Sequence, residues 1–131
     1  MPEGEITIRV RYAETDRMGF LHHANYPIYF EQGRTELLRT LGLTYRDLED
    51  QGFLLVLARL DVRYRAPARY DDLLTLETRV IRTTAARIEH GYRVLRDGQL
   101  LAEGTTTLAC VDRDGRLQAI PEFLRLPEPK S

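Results

Sequence analysis

The sequence predicts an α+β fold in which a single antiparallel sheet wraps around one long helix. Residues 6–12 alternate apolar and polar side chains, which is typical of a half-buried strand. From residue 25 to 41 the apolar residues recur at helical spacing instead. The rest of the chain alternates again, and Asp97 followed by Gly98 is a strong hairpin signal.

The first strand and the loop after it are defined by the change in this pattern. A loop over residues 13–24 contains Asp16 and Gly19, both common in turns. One face of the strand is apolar and consists of Ile6, Ile8, Val10 and Tyr12.

The helix carries recognisable start and stop signals. Asn25 is a suitable N-cap, and Pro27 is tolerated in a first turn because its missing N–H costs nothing there. Gly42 is a suitable stop. Gly33 should cost about 1 kcal/mol relative to alanine, and we expect close approach to a sheet to compensate. The apolar stripe is Tyr26, Tyr29, Phe30, Gly33, Leu37 and Leu41, and residues 45–51 suggest one or two further helical turns.

Four long strands are expected after the helix, at residues 54–64, 73–82, 87–96 and 100–111. In the first of them, Leu54, Val56, Ala58, Leu60, Val62 and Tyr64 share one face. A turn at Asp114 and Gly115 leads to a short segment, 117–120, and an irregular tail begins at about 121. One sheet and one helix leave a face or an edge uncovered, so residues 1–131 are expected to form a single domain that pairs with another subunit.

Composition excludes several classes of protein. The 19 basic and 20 acidic residues nearly cancel, which argues against a nucleic-acid partner. No stretch approaches the ~20 apolar residues of a membrane span, and no signal sequence is apparent, so we expect a cytoplasmic protein without membrane insertion. Cys110 lies in an apolar run and is expected to be buried.

Residues 12–26 are the segment that can carry chemistry. They place two carboxylates, two histidines and a glycine between a strand and a helix start. A helix start offers free N–H groups that polarise a carbonyl, and a carboxylate just upstream can attack that carbonyl or activate water. Acidic residues before helices also serve as caps or turn formers, so this segment alone leaves both readings open. No third ligand accompanies the histidines, so no metal site is predicted.

The same segment resembles the active-site signature of the 4-hydroxybenzoyl-CoA thioesterase family, particularly its YbgC-like branch. Residues 30–36 continue the resemblance along the helix, and residues 62–72 resemble the family's second recognisable segment. The resemblance covers about residues 5 to 112. The signature residues that match in order and spacing are Asp16, Gly19, His23, Asn25 and Tyr26.

The resemblance implies a hotdog fold, a homodimer or a homotetramer built from such dimers, and an acyl-CoA thioesterase acting on short-chain or aromatic acyl-CoA. Asp16 would be the catalytic nucleophile or general base. The backbone N–H of His23 would bind the thioester oxygen, and its imidazole would orient the substrate or assist proton transfer. No cofactor is implied beyond the coenzyme A of the substrate.

The resemblance also suggests residues that bind substrate. Gly19 would let the loop pass close to the acyl group. Tyr26 would line the acyl pocket, although it also fits the core face of the helix. Glu31 is a reserve catalytic carboxylate and is spaced to pair with Arg34. Four arginines lie near one strand and are candidates for the CoA phosphates, with a solvated face as the alternative: Arg59, Arg63, Arg65 and Arg69.

Three other functions stay open, one of which is a structural or scaffolding role. A hotdog domain can sense acyl-CoA without catalysis, or act as a hydratase or dehydratase. The Asp-x-x-Gly loop before the helix favours hydrolysis over the latter pair, and 131 residues leave no room for the DNA-binding segment that accompanies most sensors.

Overall fold

The computed structural model describes residues 2–125 and contains a six-stranded antiparallel sheet with one long helix. This confirms the predicted α+β architecture. Single 3₁₀ turns occur at Tyr12–Glu14 and Glu122–Leu124. The elements in chain order are β1 (Glu3–Arg9), α1 (Asn25–Thr40), α2 (Tyr45–Asp50), β2 (Leu54–Tyr64), β3 (Leu73–Thr83), β4 (Ile88–Arg96), β5 (Gln99–Val111) and β6 (Leu117–Gln118).

The strand order in the sheet is β1-β3-β4-β5-β2, with β6 added to β5. Strands β3, β4 and β5 follow one another as hairpins, and the turn between β4 and β5 is the predicted pair of Asp97 and Gly98. Both residues have positive φ, 49° and 81°, as a tight two-residue hairpin turn requires. Strands β1 and β2 are the two edges in this order.

Helix α1 crosses one face of the sheet at close range, which confirms the expectation for Gly33. A Cβ atom at Gly33 would collide with Thr78 Oγ1 and would lie 2.8 Å from Leu76 Cδ2. One turn earlier, the ring of Phe30 stacks on Tyr92 with centroids 4.1 Å apart. Only glycine lets the helix pack this closely, so the cost of glycine in a helix is offset by burial of its neighbours.

The two ends of α1 differ in how well they were predicted. Gly42 N–H donates to Arg39 O (3.0 Å) and Leu43 N–H to Leu38 O (3.2 Å). This is the Schellman arrangement, and the φ of 81° at Gly42 confirms the predicted stop. At the start, Asn25 is not the N-cap. It is the first helical residue, and its side chain turns back to the preceding loop, where Nδ2 donates to Glu14 O (2.9 Å).

Two details of the predicted strands are wrong. Tyr12 leaves β1 for a 3₁₀ turn and is 79% exposed, so it does not share the buried face of Val10. The register of β2 shifts between Leu57 and Arg59, where a bulge at Ala58 interrupts the alternation. Leu57 pairs with buried Leu108 and therefore faces the helix, whereas a continuous alternation would place it on the opposite face.

The core consists of two clusters on the helix side of the sheet. One lies under the start of α1 and includes Tyr26, Tyr29 and Phe30. The other lies under its end and includes Cys110, whose predicted burial is confirmed. The chain from Ile120 to Arg125 packs on this second cluster through Leu124, and residues 126–131 of the predicted tail lie outside the described residues. Between residues 2 and 125 no helix is long and apolar enough to cross a membrane.

Candidate active site

Asp16 begins a tight turn that it stabilises with its own side chain. Its N–H donates to Phe20 O (2.7 Å), and Gly19 N–H donates to Asp16 O (3.0 Å). Asp16 Oδ1 accepts hydrogen bonds from Met18 N–H (2.9 Å) and Phe20 N–H (3.1 Å). Gly19 has a φ of 82°, which favours glycine at this position. One half of the carboxylate therefore forms the turn, as the turn-former interpretation expects.

The other half of the carboxylate is free to act. Asp16 Oδ2 has no hydrogen-bond partner within the described residues, and Asp16 is only half-buried. The side chain lines a cavity of about 300 Å³. Apart from Asp16, the cavity is lined by Phe20, Leu21, His23, Tyr26, Tyr64, Arg65, Ala66 and Pro67.

The turn belongs to a small hairpin, residues 14–22, which we call the catalytic hairpin. Its two sides are joined by a bridge between Thr15 and Leu21 and by the hydrogen bond from His22 N–H to Glu14 O (2.9 Å). Leu21 N–H also donates to Ala68 O (2.8 Å), which ties the hairpin to the segment before β3. These bonds hold Asp16 in a defined position although it lies in a loop.

The start of α1 presents a free backbone donor beside the hairpin. Ala24 N–H donates to His22 Nδ1 (3.1 Å), and Asn25 N–H donates to His22 O (3.0 Å). The N–H of His23 finds no acceptor among residues 2–125. The carbonyl of His23 accepts a hydrogen bond from Tyr64 Oη (3.3 Å). The imidazoles of His22 and His23 stack with centroids 4.2 Å apart, and both residues are exposed.

Tyr26 meets both interpretations given to it, because it packs in the core and also lines the cavity. It is 3% exposed, and its ring meets Tyr64 edge-to-face with centroids 5.2 Å apart. Burial raises the pKa of Tyr26 to about 12, with a smaller contribution from Tyr64 and an opposing one from Arg96. Its hydroxyl is therefore neutral at physiological pH, and it makes no hydrogen bond in the described part of the chain.

The four candidate arginines do not lie together. Arg65 lines the cavity and pairs with Glu103, and the guanidinium of Arg69 lies 4.8 Å from the centroid of the Phe20 ring. Arg59 and Arg63 pair in register with Thr107 and Glu103, which places them on the sheet face that α1 does not cover. Arg69 therefore lies at the candidate site, and Arg59 and Arg63 lie on the other face of the sheet. Arg65 lines the cavity, but its guanidinium is held by Glu103 on that other face.

Arg96 was missed by the sequence analysis, although it shapes the wall of the cavity. Its Nη1 donates to Asp72 Oδ2 (2.8 Å) and to Pro67 O (3.3 Å), so it holds the loop that follows β2. Asp72 in turn accepts from Arg69 N–H (2.8 Å). Burial alone would raise the pKa of Asp72, but these hydrogen bonds outweigh it and lower the pKa below 3.8.

Glu31 and Arg34 do not form the expected pair. Arg34 Nη1 instead donates to Tyr92 Oη (3.1 Å), which is also within 2.6 Å of Thr106 Oγ1. Glu31 is exposed on α1 and does not line the 300 Å³ cavity. The i, i+3 spacing allows a pair, but the helix turns Arg34 towards the sheet and Glu31 towards solvent.

Glu14 was counted by the sequence analysis only as a second carboxylate, yet it is the one buried carboxylate of residues 2–125, with 6% exposure. Its Oε1 accepts from Arg11 N–H (2.8 Å) and from Tyr29 Oη (2.9 Å), and its Oε2 lies 3.3 Å from Arg11 Nη2. Burial raises the pKa of Glu14, but these three donors outweigh it and the net pKa is below 4.5. Glu14 is therefore ionised at neutral pH.

A larger depression, of about 830 Å³, lies on the opposite face of the sheet. Its walls are charged side chains that pair with one another, such as Arg93 with Glu77 at 3.0 Å. Neither Asp16 nor the helix start borders it, so the smaller cavity is the candidate active site. In the described part of the chain no three His, Cys, Asp or Glu side chains are grouped to hold a metal ion.

Comparison with known proteins decides the family. Residues 10–127 match the sequence model of the thioesterase-like superfamily. The chain belongs to this superfamily. The predicted enzyme class, a thioester hydrolase, and the family resemblance on which it rests are thereby confirmed.

Individual members of the superfamily agree with this assignment. The acyl-CoA thioesterase YbgC of Haemophilus influenzae is 41% identical over 80% of this chain and 78% of its own length. The acyl-CoA thioester hydrolase YbgC of Escherichia coli is 32% identical over 80% and 79%. The DHNA-CoA thioesterase of Staphylococcus aureus superposes with a TM-score of 0.86 at 32% identity, covering 92% of this chain and 80% of that one. These likenesses confirm the predicted hotdog fold.

Proposed function

We propose that this thioesterase hydrolyses acyl-CoA to a free acid and coenzyme A at the cavity beside Asp16. One observation carries the proposal. A carboxylate oxygen without a partner, Asp16 Oδ2, and a backbone donor without an acceptor, His23 N–H, both belong to described residues that line one cavity. The relatives named acyl-CoA thioesterases support CoA thioesters as substrates.

The proposed chemistry needs only these two groups and water. The thioester oxygen accepts a hydrogen bond from His23 N–H, which stabilises the negative charge that develops there by about 3–4 kcal/mol. Asp16 then attacks the carbonyl carbon, expels CoA as a thiolate and forms an anhydride that water hydrolyses. In the alternative, Asp16 removes a proton from water, and that water attacks the same carbon. The exposed imidazole of His23 orients the substrate or supplies the proton that the CoA thiolate takes up.

The proposed substrate has a short-chain or aromatic acyl group. A cavity of about 300 Å³ with three aromatic rings, those of Phe20, Tyr26 and Tyr64, supports an acyl group of that size. Gly19 is exposed and does not line this cavity, so the role proposed for it is the turn that positions Asp16. The CoA phosphates are assigned first to Arg69, whose guanidinium lies over the Phe20 ring of the cavity. Arg59 and Arg63 lie on the other face of the sheet, and Arg65 would have to leave Glu103 to take part.

We also propose that the chain works as a homo-oligomer, built from dimers joined along β2. This strand is the long edge of the sheet, and it exposes apolar side chains on both of its faces: Val56, Leu57 and Leu60 are 40%, 49% and 39% exposed. An apolar edge of eleven residues favours pairing with a second strand. Pairing along β2 would form the dimer, and two such dimers would form the tetramer. We propose that either assembly works in the cytoplasm.

The test of the proposed function is thiol release from a panel of acyl-CoAs by the wild type and by Asp16→Asn. Asparagine keeps an Oδ1 that accepts from Met18 and Phe20, so the turn is preserved and only the reactive Oδ2 is lost. Asp112→Asn is a matched control. Asp112 Oδ1 accepts from Asp114 N–H and Arg116 N–H, both at 2.9 Å, in a turn of the same form that borders neither cavity.

We expect Asp16→Asn to lower kcat by at least about 10³-fold while Asp112→Asn leaves it unchanged, since removal of a catalytic nucleophile or base costs that much or more. Binding of acyl-CoA to the wild type without release of thiol would contradict the proposal and favour a sensing role. Full activity of a folded Asp16→Asn would show that another group delivers the attack.

A further inference from the structure

Glu14 joins three parts of the molecule that meet at the candidate site. Its carboxylate contacts the segment that follows β1 through Arg11 and the first turns of α1 through Tyr29. Its carbonyl oxygen contacts the far side of the catalytic hairpin and the helix start, where it accepts from His22 N–H and Asn25 Nδ2, both at 2.9 Å. Within the described chain, no other residue of the hairpin bonds both to α1 and to the segment that follows β1.

We propose that Glu14 is a positioning residue that holds the catalytic hairpin against α1 and so sets the place of Asp16 relative to the backbone N–H of His23. The inference rests on the proposed function for its catalytic meaning. Glu14 lies two residues before Asp16, and its carbonyl binds residues on both sides of His23. A shift of Glu14 is therefore transmitted to both groups that would act on the thioester.

The chemistry of the contact explains why a carboxylate is needed at this place. Arg11 N–H, Tyr29 Oη–H and the Arg11 guanidinium are all donors that converge on one buried group. Only an acceptor without protons of its own satisfies three donors at once, and an ionised carboxylate is such a group. Arg11 N–H and Tyr29 Oη–H both donate to Oε1, which a glutamine would keep. An alanine removes this acceptor and leaves the buried Tyr29 hydroxyl without it, so the hairpin loses its side-chain contact with the helix.

The burial of Tyr29 makes its hydrogen bond to Glu14 important for the position of the catalytic hairpin. Tyr29 is 1% exposed and packs in the core cluster beside Tyr26, which lines the cavity. The Glu14–Tyr29 hydrogen bond thus connects a residue packed in the core to the catalytic hairpin, which otherwise depends on backbone hydrogen bonds. Displacement of reacting groups by about 1 Å can cost 10²-fold in rate, so a small relaxation of the hairpin has a measurable effect.

The experiment compares Glu14→Ala, Tyr29→Phe and their double variant with the wild type in acyl-CoA hydrolysis. Tyr92→Phe is the matched control, because it removes another buried tyrosine hydroxyl, bonded to Arg34 and Thr106, at a distance from the hairpin. We expect each of the first two variants to lower kcat by roughly 10- to 100-fold with little change in KM, the double variant to lose no more than Glu14→Ala, and Tyr92→Phe to retain its kcat. Faster hydrogen exchange at the His22 amide, whose N–H donates to Glu14, should accompany the loss.

Several results would overturn the inference. These are an unchanged kcat in folded Glu14→Ala, an equal loss in Tyr92→Phe, which would indicate general loosening, or exchange at His22 that matches the wild type. Tyr29→Phe keeps the test open if Glu14→Ala fails to fold. Absence of hydrolysis in the wild type would refute the proposed function instead, and exchange at the His22 amide would still test whether Glu14 holds the hairpin.

Discussion

His90 gives the stability of this protein a dependence on pH that can be worked out from the structure. The residue lies on the helix side of β4, is 5% exposed, and its Nδ1 has no hydrogen-bond partner within residues 2–125. Burial, with a smaller contribution from the positive charge of Arg34, lowers the pKa of His90 to about 3. In the unfolded chain the same side chain titrates near 6.5.

The direction in which folding stability changes with pH follows from these two pKa values. Above about pH 6.5 His90 is neutral in both states and costs nothing. As the pH falls from 6.5 towards 3, only the unfolded chain binds the proton, so folding stability declines by about 1.4 kcal/mol per pH unit. Between pH 7 and pH 5 this one residue should remove about 2 kcal/mol. The lowered pKa values of Glu14 and Asp72 cost stability only below the ordinary range of carboxylates, so they do not contribute in this window.

The assay is urea unfolding at pH 7, 6 and 5 and at one fixed protein concentration, because oligomers gain apparent stability with concentration. The free energy of unfolding of the wild type should fall by about 2 kcal/mol across the range, and that of His90→Leu by much less. His90→Gln replaces it if the leucine variant does not fold. The reasoning is refuted if the wild type keeps its stability at pH 5, or if the variant loses as much as the wild type.

Two further predictions concern packing and assembly. Gly33→Ala should lower the free energy of unfolding by about 1–3 kcal/mol despite the better helix propensity of alanine, because the new methyl group collides with Thr78. Gln32→Ala on the exposed side of α1 is its control, and a stabilised Gly33→Ala would contradict the close packing. Leu57→Asp should weaken the proposed dimer in sedimentation, whereas Leu117→Asp, 81% exposed and outside β2, should not. Unchanged sedimentation of Leu57→Asp would contradict pairing along β2.

The elements whose burial alternates regularly were predicted well from sequence. Predicted strands at 73–82, 87–96 and 100–111 correspond to Leu73–Thr83, Ile88–Arg96 and Gln99–Val111, and the helix was expected over the residues it occupies. Alternation and helical spacing report directly which side of an element meets the core. Gly42 and the Asp97–Gly98 pair were also predictable, since positive φ selects these residue types.

The errors occur where contacts distant in sequence decide the local structure. The bulge at Ala58 leaves no trace in β2 because apolar residues occupy both faces of its first half. Asn25 is a residue type that caps helices, but here its side chain binds the carbonyl of Glu14, 11 residues earlier. The buried carboxylate of Glu14 is matched by Tyr29, and neither residue indicates this in isolation.

The Asp-x-x-Gly pattern illustrates how the site depends on such contacts. It occurs at residues 16–19 and again at 112–115, and the two turns have the same bonds. Asp112 N–H donates to Arg116 O (2.8 Å), Gly115 N–H donates to Asp112 O (3.0 Å), and Gly115 has a φ of 81°. The motif by itself therefore encodes a turn. The two turns differ in the element that each one enters, since the second leads into the short strand β6 and the first leads to the start of α1. At the first turn, the cavity that Asp16 lines is also lined by His23, whose N–H finds no acceptor among residues 2–125, and this makes the free carboxylate oxygen a candidate for catalysis.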